Sequence, residues 1–137
     1  MRSLLVLSLF SALMGTSAIA SAASLADLQW SHRVVVVFAP TDTLAGEFRD
    51  TLQAATGVRS RDIAWFVLAP SGETFSNVET RIPRRELLDL HENGGIEAVL
   101  IGKDGGLKAR QTEDFDLEAF FGEIDQMPMR RNEMNKS

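Results

Sequence analysis

The sequence predicts one α/β domain: a parallel β-α-β unit, a second helix, an antiparallel hairpin and a closing helix, in the order β-α-β-α-β-β-α. Three observations predict it. Two uninterrupted apolar runs, VVVVF at 34–38 and IAWFVL at 63–68, flank a stretch with helical spacing. Runs without alternation suit strands covered on both faces. A third run at 96–101 meets residues 107–110 across Gly102-Lys103-Asp104-Gly105-Gly106, whose Asp-Gly step supplies the positive φ of a tight turn. Finally, Leu117, Phe120, Phe121 and Ile124 stand at i, i+3, i+4 and i+7, one face of a last helix.

The elements follow in order. Leu25, Leu28 and Trp30 read as a short helical turn against the edge of the core. The first strand stops at Ala39-Pro40, because proline cannot extend a central ladder. Thr41, Asp42 and Thr43 are three candidate N-caps. Leu44, Phe48, Leu52 and Ala55 then recur once per turn, which predicts a helix over about 43–56, with Gly57 as its left-handed C-terminal cap. The second strand closes at Ala69-Pro70-Ser71-Gly72. Residues 71–81 are polar and predict no element. Pro83 fits the first turn of a helix carrying Leu87, Leu88, Leu90 and His91, which Asn93-Gly94-Gly95 stops. Asp116 is a candidate N-cap for the last helix, Pro128 ends or kinks it, and a frayed basic tail is expected from Met129 onward, with 132–137 flexible.

The length of 137 residues suits one domain. Cysteine is absent, which rules out disulfides, thiol catalysis, cysteine zinc sites and iron–sulfur clusters. Two histidines, His32 and His91, leave no His-based metal motif. A net charge of −5 argues against a nucleic-acid partner. Residues 1–22 read as a signal peptide: Arg2, an apolar run, then small residues offering cleavage after Ala20, Ala22 or Ala23. The expected destination is the periplasm or the exterior, with no membrane insertion after cleavage.

The order of elements resembles a thioredoxin-like three-layer core. VVVVFAP at 34–40 resembles its first central strand, after which a reactive loop would begin. Here that loop reads Thr41-Asp42-Thr43-Leu44-Ala45, with no thiol, so dithiol exchange is impossible. The cis-proline that many such proteins carry before the third strand is replaced by Asn93-Gly94-Gly95. A closer resemblance is to the bacterial domain of unknown function family 4174. It rests on VVVVFAP, on GKDGG at 102–106 with Lys108, on MPMRR at 127–131, and more weakly on Arg61-Asp62. That family is similar to domains of vertebrate secreted matrix proteins and to peroxiredoxin-like folds without the peroxidatic cysteine.

The candidate ligand site is Thr41, Asp42 and Thr43, at the carboxyl end of a central strand, with Arg61 as a possible anion fork. Capping by Thr41 or Asp42 competes with that role. Arg59, Arg61, Arg81, Arg84 and Arg85 read mainly as surface charge paired with Glu79, Glu86 and Asp89. The acidic residues from Asp114 to Asp125 read as a solvated face. Met127, Met129 and Met134 raise soft-metal binding, but Met127 better suits packing of the last helix. No metal or cofactor is expected, since no phosphate loop, dinucleotide fingerprint or nucleophile elbow is present. The expected function is an exported, non-catalytic binding module for an unidentified protein or a small anionic ligand. The alternative is a cysteine-independent enzyme with its site at the Thr41–Thr43 loop.

Overall fold

A computed structural model describes residues 23–136. The expected signal peptide lies outside them. The chain forms β1 (Arg33–Phe38), α1 (Asp42–Ala54), α2 (Gly57–Ser60), β2 (Ile63–Leu68), β3 (Thr74–Ser76), α3 (Arg84–Leu88), β4 (Glu97–Ile101), β5 (Leu107–Thr112), α4 (Leu117–Asp125) and α5 (Pro128–Asn135). A 3-10 turn at Leu25–Leu28 precedes them. Its Leu28 is buried, but Trp30 is 62% exposed with φ 71°, so it does not pack on the core as expected.

The five strands form one sheet in the order β3-β2-β1-β4-β5. β1 and β2 run parallel, with Arg33 opposite Ile63 and Phe38 opposite Leu68. The other three pairs, β1 with β4, β2 with β3, and β4 with β5, are antiparallel. The fold is mixed α/β and consistent with a thioredoxin-like arrangement. The uninterrupted runs have the predicted cause: every residue of β1 and β2 is buried. Val35, Val37, Trp65 and Val67 face a core completed by α1, α2 and α4. Val34, Val36, Phe38 and Phe66 face a second, completed by Leu28, Ile82 and Leu87.

Four features depart from the sequence reading. Residues 71–81 contain β3, an edge strand too short and too exposed to show alternation. Asn77 prolongs its pairing: its side-chain carbonyl accepts from Trp65 N (2.8 Å) and its amide donates to Ile63 O (2.9 Å). α1 spans Asp42–Ala54 rather than about 43–56, and Gly57 opens α2 instead of capping α1. α3 stops at Leu88, short of the expected apolar stripe. The expected frayed tail folds as α5: the helix before Pro128 stops at Asp125, and Pro128 opens a second one. The observed order therefore adds α2, β3 and α5 to the predicted one.

Gly57 is fixed by close approach. A Cβ there would stand 2.5 Å from Arg61 Nη1 and 2.7 Å from Phe121 Cε2. Gly57→Ala is expected to cost about 1–3 kcal/mol in urea unfolding, because the phenyl ring of α4 must shift. At the hairpin, Gly105 takes the predicted positive φ, +86°.

Candidate functional site

The predicted site residues do not come together. Thr41 caps α1: its Oγ1 accepts from Leu44 N at 3.1 Å, and its carbonyl accepts from Ala45 N at 3.0 Å. Asp42 Oδ1 accepts from Ser71 N at 3.1 Å, which ties α1 to the β2–β3 turn. Thr43 is exposed in the first turn. One of the free amides a ligand would need, Leu44 N, is thus already engaged by the Thr41 side chain. Arg61 lies before β2, whereas Thr41 lies after β1. Because these strands are parallel, Arg61 sits at the opposite end of the sheet, roughly 20 Å away by strand rise.

At that opposite end, sequence-distant charges converge. Arg61 forks onto Asp125 through Nε (3.0 Å) and Nη2 (2.8 Å), donates to Gly57 O (3.1 Å), and lies 4.2 Å over the Phe121 ring. Arg130 reaches the same Asp125 (3.3 Å) and Ser60 O (2.8 Å). Arg33, 1% exposed at the start of β1, donates to Arg61 O (3.0 Å) and forks onto Glu133 of α5 (3.2 and 3.3 Å). Its Nε is buried without a hydrogen-bond partner. Lys103 Nζ bridges Asp62 (2.9 Å) and Glu133 (2.5 Å).

The electrostatics follow from these contacts. Burial pushes the Glu133 carboxyl up, but hydrogen bonds and charge from Lys103 and Arg33 outweigh it and hold it below the usual range. Asp125 is lowered by its hydrogen bonds from Arg61, against burial and with help from Arg130. The carboxylates Asp62, Asp125 and Glu133 face the cations Arg33, Arg61, Lys103 and Arg130, leaving one positive charge in excess.

A cavity of about 340 Å³ opens beside this cluster, between the β4–β5 turn and the start of α5, with Arg33, Lys103, Lys108, Met127 and Met129 in its walls. A larger concavity of about 810 Å³ lies against β3, but its Arg84 donates to the Ala69 and Glu73 carbonyls (2.6 and 3.1 Å). Among the described residues, no group of three or more histidines or carboxylates could hold a metal ion.

The sequence reading missed Arg33 and Glu133. Arg33 carries a faint signal, a charge directly joined to a fully buried strand. Glu133 stands in the segment whose composition predicts a tail. The arginine pairings also differ from expectation: Arg61 meets Asp125 of the supposed solvated face. Two of the stretches that carry the family resemblance meet at this one cavity, through residues 102–104 and Lys108 of the first and residues 127–129 of the second.

The family model described as Domain of unknown function (DUF4174) matches residues 24–133. No curated protein and no solved structure matches the chain. The match spans the whole sheet, the charge cluster and α5 up to Glu133, and the chain belongs to this DUF4174 family.

Proposed function

We propose that this protein is an exported, non-catalytic binding module of the cell envelope that takes a small anion. Export rests on the pattern of residues 1–22, and the absence of thiol chemistry on the absence of cysteine. The observation that carries the binding role is the surplus of cationic groups beside a cavity, in a chain of net charge −5. A cationic recess in an acidic surface focuses field and gathers small anions. The cap bonds of Thr41 count against the alternative, a cysteine-independent enzyme at the Thr41–Thr43 loop.

The test is a melting series at constant ionic strength, with chloride replaced by small carboxylates or phosphate, alongside peroxide decay for the wild type and Asp42→Ala. A ligand that binds only the folded state raises its melting temperature. The expected result is a rise with at least one anion, and peroxide decay at the buffer rate for both proteins. A flat series removes the anion. Peroxide turnover lost on Asp42→Ala replaces the binding module with the enzyme.

A further inference from the structure

We propose that the cavity between the β4–β5 turn and α5 binds a monoanion built as a carboxylate on a short apolar body. The carboxylate lies against Lys103, Lys108 and the Met129 amide, and the body against Met127 and Met129. The proposal rests on the anion-binding reading above and gives it a site and a ligand class.

The walls divide by chemistry. One side carries three cations, Arg33, Lys103 and Lys108, and one carboxylate, Asp104. Lys103 is 9% exposed and Arg33 1% exposed, and the Arg33 Nε is buried without a hydrogen-bond partner. Lys108 crosses the turn to Asp104 at 2.8 Å, passing over Gly102, where a Cβ would stand 2.5 Å from Lys108 Cε and displace that side chain. This pair is the exposed one, so Lys108 can exchange Asp104 for a ligand carboxylate at little cost. The opposite side is the start of α5. Its N-cap, Met127, supplies no side-chain hydrogen bond, and Pro128 follows at the first position. Arg131 N reaches Met127 O at 3.0 Å, whereas the Met129 amide precedes the first intrahelical acceptor.

The same two side chains that flank this amide give an apolar wall. Met127 is partly buried against the core, and Met129 is 41% exposed at the lip. Thioethers on unbranched chains adapt to varied apolar shapes. Inorganic phosphate would leave that wall uncovered, and an apolar molecule without charge would leave the cations unanswered. A carboxylate with a short tail satisfies both sides. A volume of about 340 Å³ is ample for a body of a few carbons.

The test uses calorimetric titration and amide chemical-shift mapping of the full chain with hexanoate, acetate, hexylamine and phosphate. Hexanoate is expected to bind, to move amides at 102–108 and 127–131, and to bind about ten-fold or more tightly than acetate. Hexylamine is expected not to bind. Lys108→Gln and Met129→Asp, both at accessible positions, are each expected to weaken hexanoate about ten-fold or more. A tripeptide ending in a free leucine carboxylate identifies the source: tighter binding than hexanoate assigns the cavity to chain ends, weaker binding to free acids. Equal binding of hexylamine, shifts confined to other segments, or unaltered affinity in both variants overturns the proposal. Phosphate binding without hexanoate binding overturns the ligand class and keeps the anion site. No binding of any anion removes both.

Discussion

Glu97→Ala is expected to cost about 3 kcal/mol in urea unfolding and to lower the melting temperature by roughly 10 °C. Glu97 opens β4 opposite Phe38 and is fully buried. Its two oxygens accept from Glu92 N (2.8 Å), Asn93 N (3.1 Å) and Asn93 Nδ2 (2.7 Å), and Arg110 Nη1 lies 3.2 Å away. Truncation would strip acceptors from two backbone amides and remove the main counter-charge of an arginine that is 18% exposed. Losing one partner of a buried pair costs more than the pair itself contributes. Glu97→Gln keeps an acceptor of the same shape, so its expected cost is about half as large.

The same residue sets a pH dependence. Burial raises the Glu97 carboxyl, but hydrogen bonds from Glu92 and Asn93 and the charge of Arg110 outweigh it, so the folded value lies below the ordinary 4.5. A depressed folded value means the unfolded chain binds the proton first. The stabilisation is complete above the unfolded value and disappears as pH falls through the folded one. Glu133 and Asp125 carry the same sign. Unfolding free energy is therefore expected to fall steeply below about pH 4.5, and Glu97→Gln to flatten that fall. An unchanged slope in the variant would remove Glu97 from the account.

Legibility in the sequence followed burial. The runs at 34–38 and 63–68 were readable because both faces of each strand are covered, so apolar residues fill every one of those positions. The hairpin turn was readable because only a few residue types adopt the φ of Gly105. β3 was not, since three half-exposed residues give no period and part of its pairing comes from the Asn77 side chain. The candidate site was legible as separate pieces. The GKDGG and MPMRR stretches stood out, but their meeting depends on α5 docking back onto the start of β1. That docking is made by charge pairs up to 100 residues apart, which leave no local pattern. Composition placed Arg130 and Glu133 in a polar tail, and only the buried Arg33 at the other end of the pair makes them structural.

That dependence sets the second large effect. Glu133→Ala would leave the Arg33 guanidinium at the sheet end with the Arg61 carbonyl as its remaining acceptor, and Lys103 with Asp62, which is half exposed. The expected cost is about 3 kcal/mol, and the amides of α5 should lose hydrogen-exchange protection before the sheet does. Arg33→Met removes the buried cation as well, and its unbranched chain follows the path of the arginine stem. The double variant Arg33→Met with Glu133→Ala is therefore expected within about 1 kcal/mol of the wild type, giving a coupling energy of about 2–3 kcal/mol between positions 33 and 133. Additive losses would show that α5 is held by its other contacts, through Met127 and Arg130, and that the pair is incidental. A strong coupling would mean that the wall of the cavity formed by α5 exists because a charge was buried at the first residue of β1, with Glu133 as the group that neutralises it.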